Sequence, residues 1–511
     1  MTQLLRNANT WKKECIIQTQ LYIVASRNTN ISIFRGIDWL VVTLYLLMVI
    51  IGAISIYAAS YDYDNASIFD FSEFSGKQIR WIALSFVLGC SLLAIDARMY
   101  ETYAYPIYTL LVLLLIVTIF IAPDIKGSRS WLVLGPMSLQ PAEFGKFATA
   151  LALGKLFSGY KFSLNEKASN YAKAFAIIFI PILLILAQSE TGTALVYLSL
   201  FFVLYREGMS GLILFAALFS IVIFVVAIKY NTTMILGITS GEFSVYIMIM
   251  FIMVVMLAIY CKNMKLARNT ALWFICSGII AWSLSLCNIN INGLFFFIFT
   301  IAVAIVYCTS IMLKSSIKKM LIIIGTIVIS ISFLFSVNYV FSSVLKPHQQ
   351  LRIKVALGIV EDIKGVGYNV NQSKIAIGSG GFSGKGFLNG TQTKLKYVPE
   401  QHTDFIFCTI GEEHGLIGAT IVMALFIMLI LRVLHIAERQ STAFGRVYAY
   451  CVASYFIFHF MVNIGMVIGL CPVIGIPLPF FSYGGSSLWG FTVLLFILLR
   501  IDASRRIHHT Y

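Results

Sequence analysis

Apolar runs of about 20 residues, the length a helix needs to cross a bilayer, recur along the whole of this 511-residue chain. Inside lipid a backbone must satisfy its own hydrogen bonds, so only helices or closed barrels can occupy such runs. Barrel strands would alternate polar and apolar residues over about 10 positions, and these runs do not alternate. The chain therefore reads as all-α: a polytopic integral membrane bundle. Charged residues make up only 12%, about half the usual share in soluble domains. That excludes a soluble enzyme, a disordered chain and a disulfide-stapled secreted domain. The net charge of +15 comes mostly from short loops between runs. It reads as topology setting by the positive-inside rule, not as nucleic-acid binding. Nine cysteines form no CxxC pair, and Cys90, Cys276, Cys408 and Cys451 sit within apolar runs, which predicts buried free thiols.

Loop charges order the runs. Residues 1–37 carry five basic residues against Glu14, contain no signal-peptide core, and read as a cytoplasmic tail. Runs follow at 38–60, 79–95, 105–122 and 139–157, with Asp62, Asp64, Asp70 and Glu73 in the first outer loop. The stretch 173–205 is too long for one span and is interrupted at Gln188–Thr193, which predicts two helices joined by a polar outer turn. Five runs follow at 207–228, 240–260, 271–287, 293–313 and 319–340. Lys262, Lys265 and Arg268 share one inner loop, and Lys314, Lys318 and Lys319 another. Residues 341–404 form a polar, Gly-rich outer loop with eight basic residues against four acidic ones. Runs at 405–432, 446–470 and 479–501 complete 14 spans, with both termini cytoplasmic and a tail at 502–511.

Ionisable residues within spans are expensive, and by default each is a functional hypothesis. Glu143 and Lys146, in Gln140–Lys146, lie three residues apart and share a helix face. They predict either an internal ion pair or ligand contact. Glu190 lies in the broken helix pair, where an outer-facing turn is the alternative. Asp404 precedes a span and could serve as its N-cap or face a cavity. Glu412, Glu413 and His414 read as a packed polar cluster deeper in the same helix. Pro472, Gly475, Pro477 and Pro479, followed by Ser482–Ser487, predict an unwound segment lining a cavity, or a flexible outer loop. The GSGGFSGKG stretch at 378–386 lacks the spacing of a nucleotide loop. These polar features fall in the outer half of the topology, which predicts one hydrophilic cavity open to the outside.

At these residues the chain resembles the SEDS family of peptidoglycan glycosyltransferases. The matching stretches are QPAEFGK at 140–146, GTALV at 192–196, the 45-residue block 375–419 and NIGMVIGLCPVIGIPLPFFSYGGSS at 463–487. GKGFLNGTQ followed by PEQHTDF favours the elongation branch over the division branch. The resemblance covers 38–228 and 335–501, and leaves 229–334 as inserted helices for lipid or partner contact. Ser189 and Glu190 stand where the family often has Pro and Asp, and Ala142 where Ser is common.

The resemblance implies that lipid II is polymerised at the outer face of the cytoplasmic (inner) membrane, for cell elongation and rod shape. The glucosamine 4-hydroxyl of one lipid II attacks the anomeric carbon of the lipid-linked glycan strand, and undecaprenyl pyrophosphate leaves. Such an inverting transfer needs a base but no covalent glycosyl-enzyme. Asp404 matches the family's catalytic aspartate. Glu143, Lys146, Glu190, Lys385, His402, Gln140, Arg129 and Ser486 are the substrate-binding candidates. A divalent cation (Mg or Mn) held by Glu190 or Asp404 could share the leaving-group charge, and no nucleotide, haem or flavin is expected. Implied partners are a class B penicillin-binding protein transpeptidase and other elongation-complex membrane proteins, with no nucleic acid. A lipid II flippase and a non-catalytic scaffold of the cell-wall machinery are the competing readings.

Overall fold

A computed structural model describes residues 36–61, 73–125, 127–135, 137–231, 233–287, 292–312, 317–345, 347–360 and 367–508. The N-terminal tail up to residue 35 and Asp62, Asp64 and Asp70 of the acidic loop lie outside the described residues. The described residues divide into two compact units. One comprises those up to Met209 together with those from Asn369 onward; the other is Ser210–Tyr368. The inserted stretch expected at 229–334 falls within the second.

In the first unit, α1 (Trp39–Ser60), α2 (Phe74–Ala94), the short α3 (Ala97–Thr102) and α4 (Ala104–Ile121) lead to a hairpin of β1 (Leu132–Leu134) and β2 (Met137–Leu139). There follow α5 (Pro141–Phe157), α6 (Ala168–Ala187), α7 (Thr191–Leu198) and α8 (Leu200–Arg206). The second unit holds α9 (Gly211–Lys229), the small hairpin β3 (Met234–Ile235) and β4 (Ile238–Thr239), α10 (Ser240–Val255), α11 (Met264–Leu286), α12 (Gly293–Met312), α13 (Ile317–Tyr339) and α14 (Pro347–Ala356). Helices α15 (Tyr368–Ser379), α16 (Thr391–Lys394), α17 (Ile406–Glu438), α18 (Ala443–Val467) and α19 (Gly485–His508) complete the chain.

Among the described residues, 11 helices are long and apolar enough to cross a membrane. The expected 14 are not reached by that measure, although each expected run contains helix among the described residues. Helix α5 has only 17 residues and carries Glu143, Lys146 and Lys155. The stretch Thr191–Arg206 is split into α7 and α8. The long stretch 173–205 does break at a turn, where Ser189 takes a left-handed φ of 62°. The 341–404 loop is not structureless: it contains α14, α15 and α16. Of the four thiols expected to be buried, Cys408 and Cys451 are. Cys90 and Cys276 instead sit on exposed faces of apolar helices, which lipid can cover.

The second unit packs Tyr246, Ile249 and Met253 of α10 against Phe297, Ile301, Ile323 and Ile327. A capping box of Thr239 and Glu242 starts α10. In the first unit, α18 is buried along most of its length and packs against α5, α17 and α19. After α18 the chain does not resume a helix until Gly485. The run expected at 479–501 therefore begins later, because Pro472, Pro477 and Pro479 cannot supply helical N–H groups. Within this unwound segment residues 476–482 are mostly buried, while Ile468, Leu470, Pro472 and Gly475 before them are exposed. The Phe480 ring lies 5.1 Å from Tyr45, 5.7 Å from Phe456 and 5.9 Å from Phe491. Gly52 of α1 lets it approach so closely that a Cβ there would lie 2.6 Å from the Phe480 carbonyl oxygen.

Candidate active site

Pro141 at the first helical position starts α5 and places Glu143 and Lys146 on one face. The ion pair forms: Lys146 Nζ donates to Glu143 Oε2 at 2.8 Å, and neither side chain is more than 3% exposed. Two further groups close around the ammonium. His459 Nε2 of α18 lies 3.1 Å away, and the Phe491 ring of α19 lies 4.2 Å beneath it. His459 Nδ1 meets the Pro477 carbonyl at 3.0 Å. A carbonyl only accepts, so Nδ1 carries the proton and Nε2 accepts from Lys146. Lys146 is thus fully enclosed by its partners.

Gln140 and Ser486 belong to the same corner. Ser486 Oγ donates to the Ser138 carbonyl and accepts from Gln140 N, both at 3.1 Å, which fixes the β-hairpin to α19. Gln140 Nε2 reaches Glu190 Oε1 at 3.3 Å, while Ser128 Oγ and Ser130 Oγ donate to Glu190 Oε2 at 2.5 and 2.9 Å. The half-buried Glu190 therefore ties the turn before α7 to the segment before β1. Arg129 contributes its backbone N–H, which donates to the Gln188 carbonyl at 3.1 Å, while its side chain is exposed.

Lys385 is brought to Glu412 at 2.7 Å, not to the aspartate. Glu412 also accepts from Gln392 N and Thr393 N, each at 2.9 Å, and Glu413 accepts from Leu388 N at 3.1 Å. The polar cluster expected there holds for Glu412 and Glu413, both buried, but His414 is exposed. Helix α17 is broken at Gly415 (φ 61°, ψ −155°). The glycine-rich 380–386 loop fills the break by backbone bonding: Lys385 N and Gly386 N donate to the carbonyls of Glu412 and Glu413, and Leu416 N to that of Gly381.

Asp404 is half-buried and lies one residue before the cap of α17. The cap is Phe405, with no side-chain capping bond, so the N-cap alternative does not describe it. The Asp404 carbonyl accepts from Asn463 Nδ2 at 2.9 Å, and the same amide donates to the Ile476 carbonyl at 2.7 Å. The Asp404 carboxylate lies over the unwound segment: a Cβ built on Gly475 would sit 3.4 Å from Oδ2. Two residues earlier, His402 stacks on Phe74 at 4.2 Å, and Tyr483 stands edge-on to Phe74 at 5.0 Å. Lys77 lies 5.7 Å from the Phe74 ring centre. Gln401 Nε2 donates to the carbonyls of Ala59 and Thr393 at 2.6 and 2.8 Å, joining this segment to the Glu412 cluster.

The connected chain runs from Glu143 and Lys146 through His459 and Pro477, then Ile476 and Asn463, to Asp404. Sequence reasoning missed His459 and Asn463. Their signal is a His and an Asn four residues apart in an otherwise apolar span. Among the described residues no three His, Cys, Asp or Glu side chains gather as metal ligands. Glu190 is already held by three donors. The residues present do not fit the expected cation site.

The sequence model of the family described as "Cell cycle protein", that of FtsW, RodA and SpoVE, matches residues 38–242 and 235–507. Peptidoglycan glycosyltransferase RodA of Treponema pallidum (strain Nichols) is 31% identical over 474 residues, covering 92% of this chain and 99% of that one. Peptidoglycan glycosyltransferase MrdB of Escherichia coli (strain K12) is 30% identical over 413 residues, 81% of each chain. Among solved structures, the fold is similar to a chain from a study of "structural coordination of polymerization and crosslinking by a peptidoglycan synthase complex". That match has a TM-score of 0.57 at 21% identity, covering 92% of this chain and 98% of the other. Thermus thermophilus RodA gives a TM-score of 0.51 at 20% identity, with 92% and 97% covered. A family match over nearly the whole chain, with relatives at this identity and coverage, has one consequence: this multi-pass membrane protein belongs to the FtsW/RodA/SpoVE family.

Proposed function

We propose that the chain is a peptidoglycan glycosyltransferase that polymerises lipid II, with Asp404 as general base. One observation carries the reading. Asp404 is half-buried, stands one residue before the cap of α17, and its carboxylate lies beside Gly475 of the unwound segment. Irregular backbone within a membrane-spanning bundle is tolerated where it is covered by protein or lines a cavity. Asp404 accepts the proton of the incoming sugar 4-hydroxyl as its oxygen bonds to the anomeric carbon. The bond to undecaprenyl pyrophosphate breaks with inversion, and the pyrophosphate departs with the electron pair. A positioned carboxylate base contributes about 10²–10⁴ in rate.

Lys146 is enclosed, so its part is to hold the wall of the site. Lys77 and the exposed Arg80, on the first turns of α2 beside Tyr483, are placed to meet the anionic leaving group. Orientation is supported by charge. Arg432 near the end of α17, Arg439 just after it and Arg446 at the start of α18 lie at the end opposite Asp404, which the positive-inside rule assigns to the cytoplasm. Asp404 then faces outward, both termini lie inside, and the enzyme works beside a class B penicillin-binding transpeptidase. The likeness to a synthase complex that couples polymerisation with crosslinking supports that partnership.

The test is Asp404→Asn in purified protein supplied with its transpeptidase and lipid II. Glycan ladders are expected to fall by about 10² or more while the variant elutes and melts like the parent. Ladders at the parental rate remove Asp404 from the mechanism. Lipid II that crosses vesicles unchanged, with no ladders from the parent protein, would establish a flippase instead.

A further inference from the structure

We propose that His459 and Asn463 are positioning residues for the Asp404 base, acting through the carbonyls of the unwound segment after α18. The inference rests on the general-base reading above. Backbone that leaves a helix inside a bundle exposes carbonyls that the helix would have satisfied. Here two side chains one turn apart on α18 take them in succession: Asn463 the Ile476 carbonyl and His459 that of Pro477. Asn463 spends its second N–H on the Asp404 carbonyl. One amide therefore clamps the backbone of the base to the backbone it lies against, where the carboxylate Oδ2 would be 3.4 Å from a Cβ on Gly475, an ordinary contact. Asn463 is fully buried, yet its Oδ1 has no hydrogen-bond partner among the described residues. Both of its donors are aimed at backbone carbonyls of the two segments, the arrangement that a clamp between them requires.

His459 is the second anchor, and Lys146 fixes its tautomer. An imidazole facing an ammonium at 3.1 Å offers its lone pair there, which leaves Nδ1–H for Pro477. The Glu143–Lys146 pair then reaches the base through His459 and the 476–477 peptide, without itself touching substrate.

The experiment measures kcat and KM for glycan polymerisation by the purified protein with its transpeptidase. Asn463→Leu fills the volume without donors; kcat is expected to fall about 10²-fold, the scale of a catalytic group displaced by about 1 Å, with KM unchanged. His459→Asn puts an amide donor where Nδ1 stood and is expected to recover to within about tenfold of the parent, whereas His459→Gln, whose amide follows Nε2, stays near the 10²-fold loss. Should Asn463→Leu fail to fold, the His459 pair decides alone. Wild-type kcat in Asn463→Leu, or equal rates for the two His459 variants, overturns the proposal. Where Asp404→Asn is inactive but these variants are unaffected, this inference alone fails; where Asp404→Asn is active, the general-base reading fails.

Discussion

Lys146 has no exposed surface and sits in a helix whose neighbours span the bilayer. An ammonium placed in a span costs about 2.5–3.5 kcal/mol on insertion scales. It persists here because a carboxylate, an imidazole and an aromatic face surround it. Removing one partner of such a pair strands the other charge and destabilises by about 3–5 kcal/mol, while replacing both with apolar groups is often neutral. Glu143→Gln and Lys146→Met are each expected to lower the melting temperature in detergent, and the double variant Glu143→Leu/Lys146→Met to recover most of the loss. Losses that simply add in the double variant would show the two side chains to be independent. The pair was legible in sequence because i, i+3 spacing is local. His459 and Asn463 left a signal as polar residues in a span, but what they bind did not, because partners of theirs lie 313 and 59 residues away. Lys385 was legible as a cation but not as the partner of Glu412, for the same reason.

At the scale of elements, hydropathy marks a helix but not its break. The break in α17 falls at Gly415, inside a run that reads as continuous. The glycines of the 380–386 loop look like a phosphate loop in sequence. In the fold they allow close backbone approach: a Cβ on Gly384, whose φ is 81°, would lie 2.1 Å from the Glu413 carbonyl oxygen. Gly384→Ala therefore meets both a left-handed backbone and a fixed carbonyl, a strain of about 1–3 kcal/mol. The loop is expected to leave the break, giving faster limited proteolysis between 380 and 390 and reduced polymerisation. A proteolysis rate equal to that of the parent would show that the loop does not depend on this approach. The unwound segment before α19 was legible, because proline density is a local signal. Whether it packs inward or forms an outer loop stayed open in sequence, since the inward packing of Phe480 depends on Gly52 of α1 and on the rings of Tyr45, Phe456 and Phe491.

Across the first unit, polar groups gather at two levels separated by the length of α17. From the break at Gly415 to Glu438 that helix has 23 residues, about 34 Å at 1.5 Å per residue, enough to cross a bilayer. Asp404 and its anchors occupy one end. At the other, Asp38 accepts from Arg432 Nε at 3.0 Å and from Arg439 Nη2 at 2.9 Å, and Arg439 also pairs with Asp502. This cluster joins the start of α1 to the ends of α17 and α19, so it holds together helices far apart in the chain. Burial pushes the Asp38 carboxyl up, but hydrogen bonds and charge from Arg432 and Arg439 outweigh it and hold the group below its ordinary value of 3.8. A carboxylate depressed in the folded state binds fewer protons folded than unfolded. Its stabilisation is complete above pH 3.8 and is lost as the pH falls through the lower folded value. Asp38→Asn keeps a residue that can cap α1 and removes only the charge. At pH 7 the variant is expected to be about 3 kcal/mol less stable, the lower range for breaking a buried pair. Melting curves of both proteins should converge as the pH is lowered through the range below 3.8; a gap of constant width across that range would mean that the charge of Asp38 does not hold this end of the unit together.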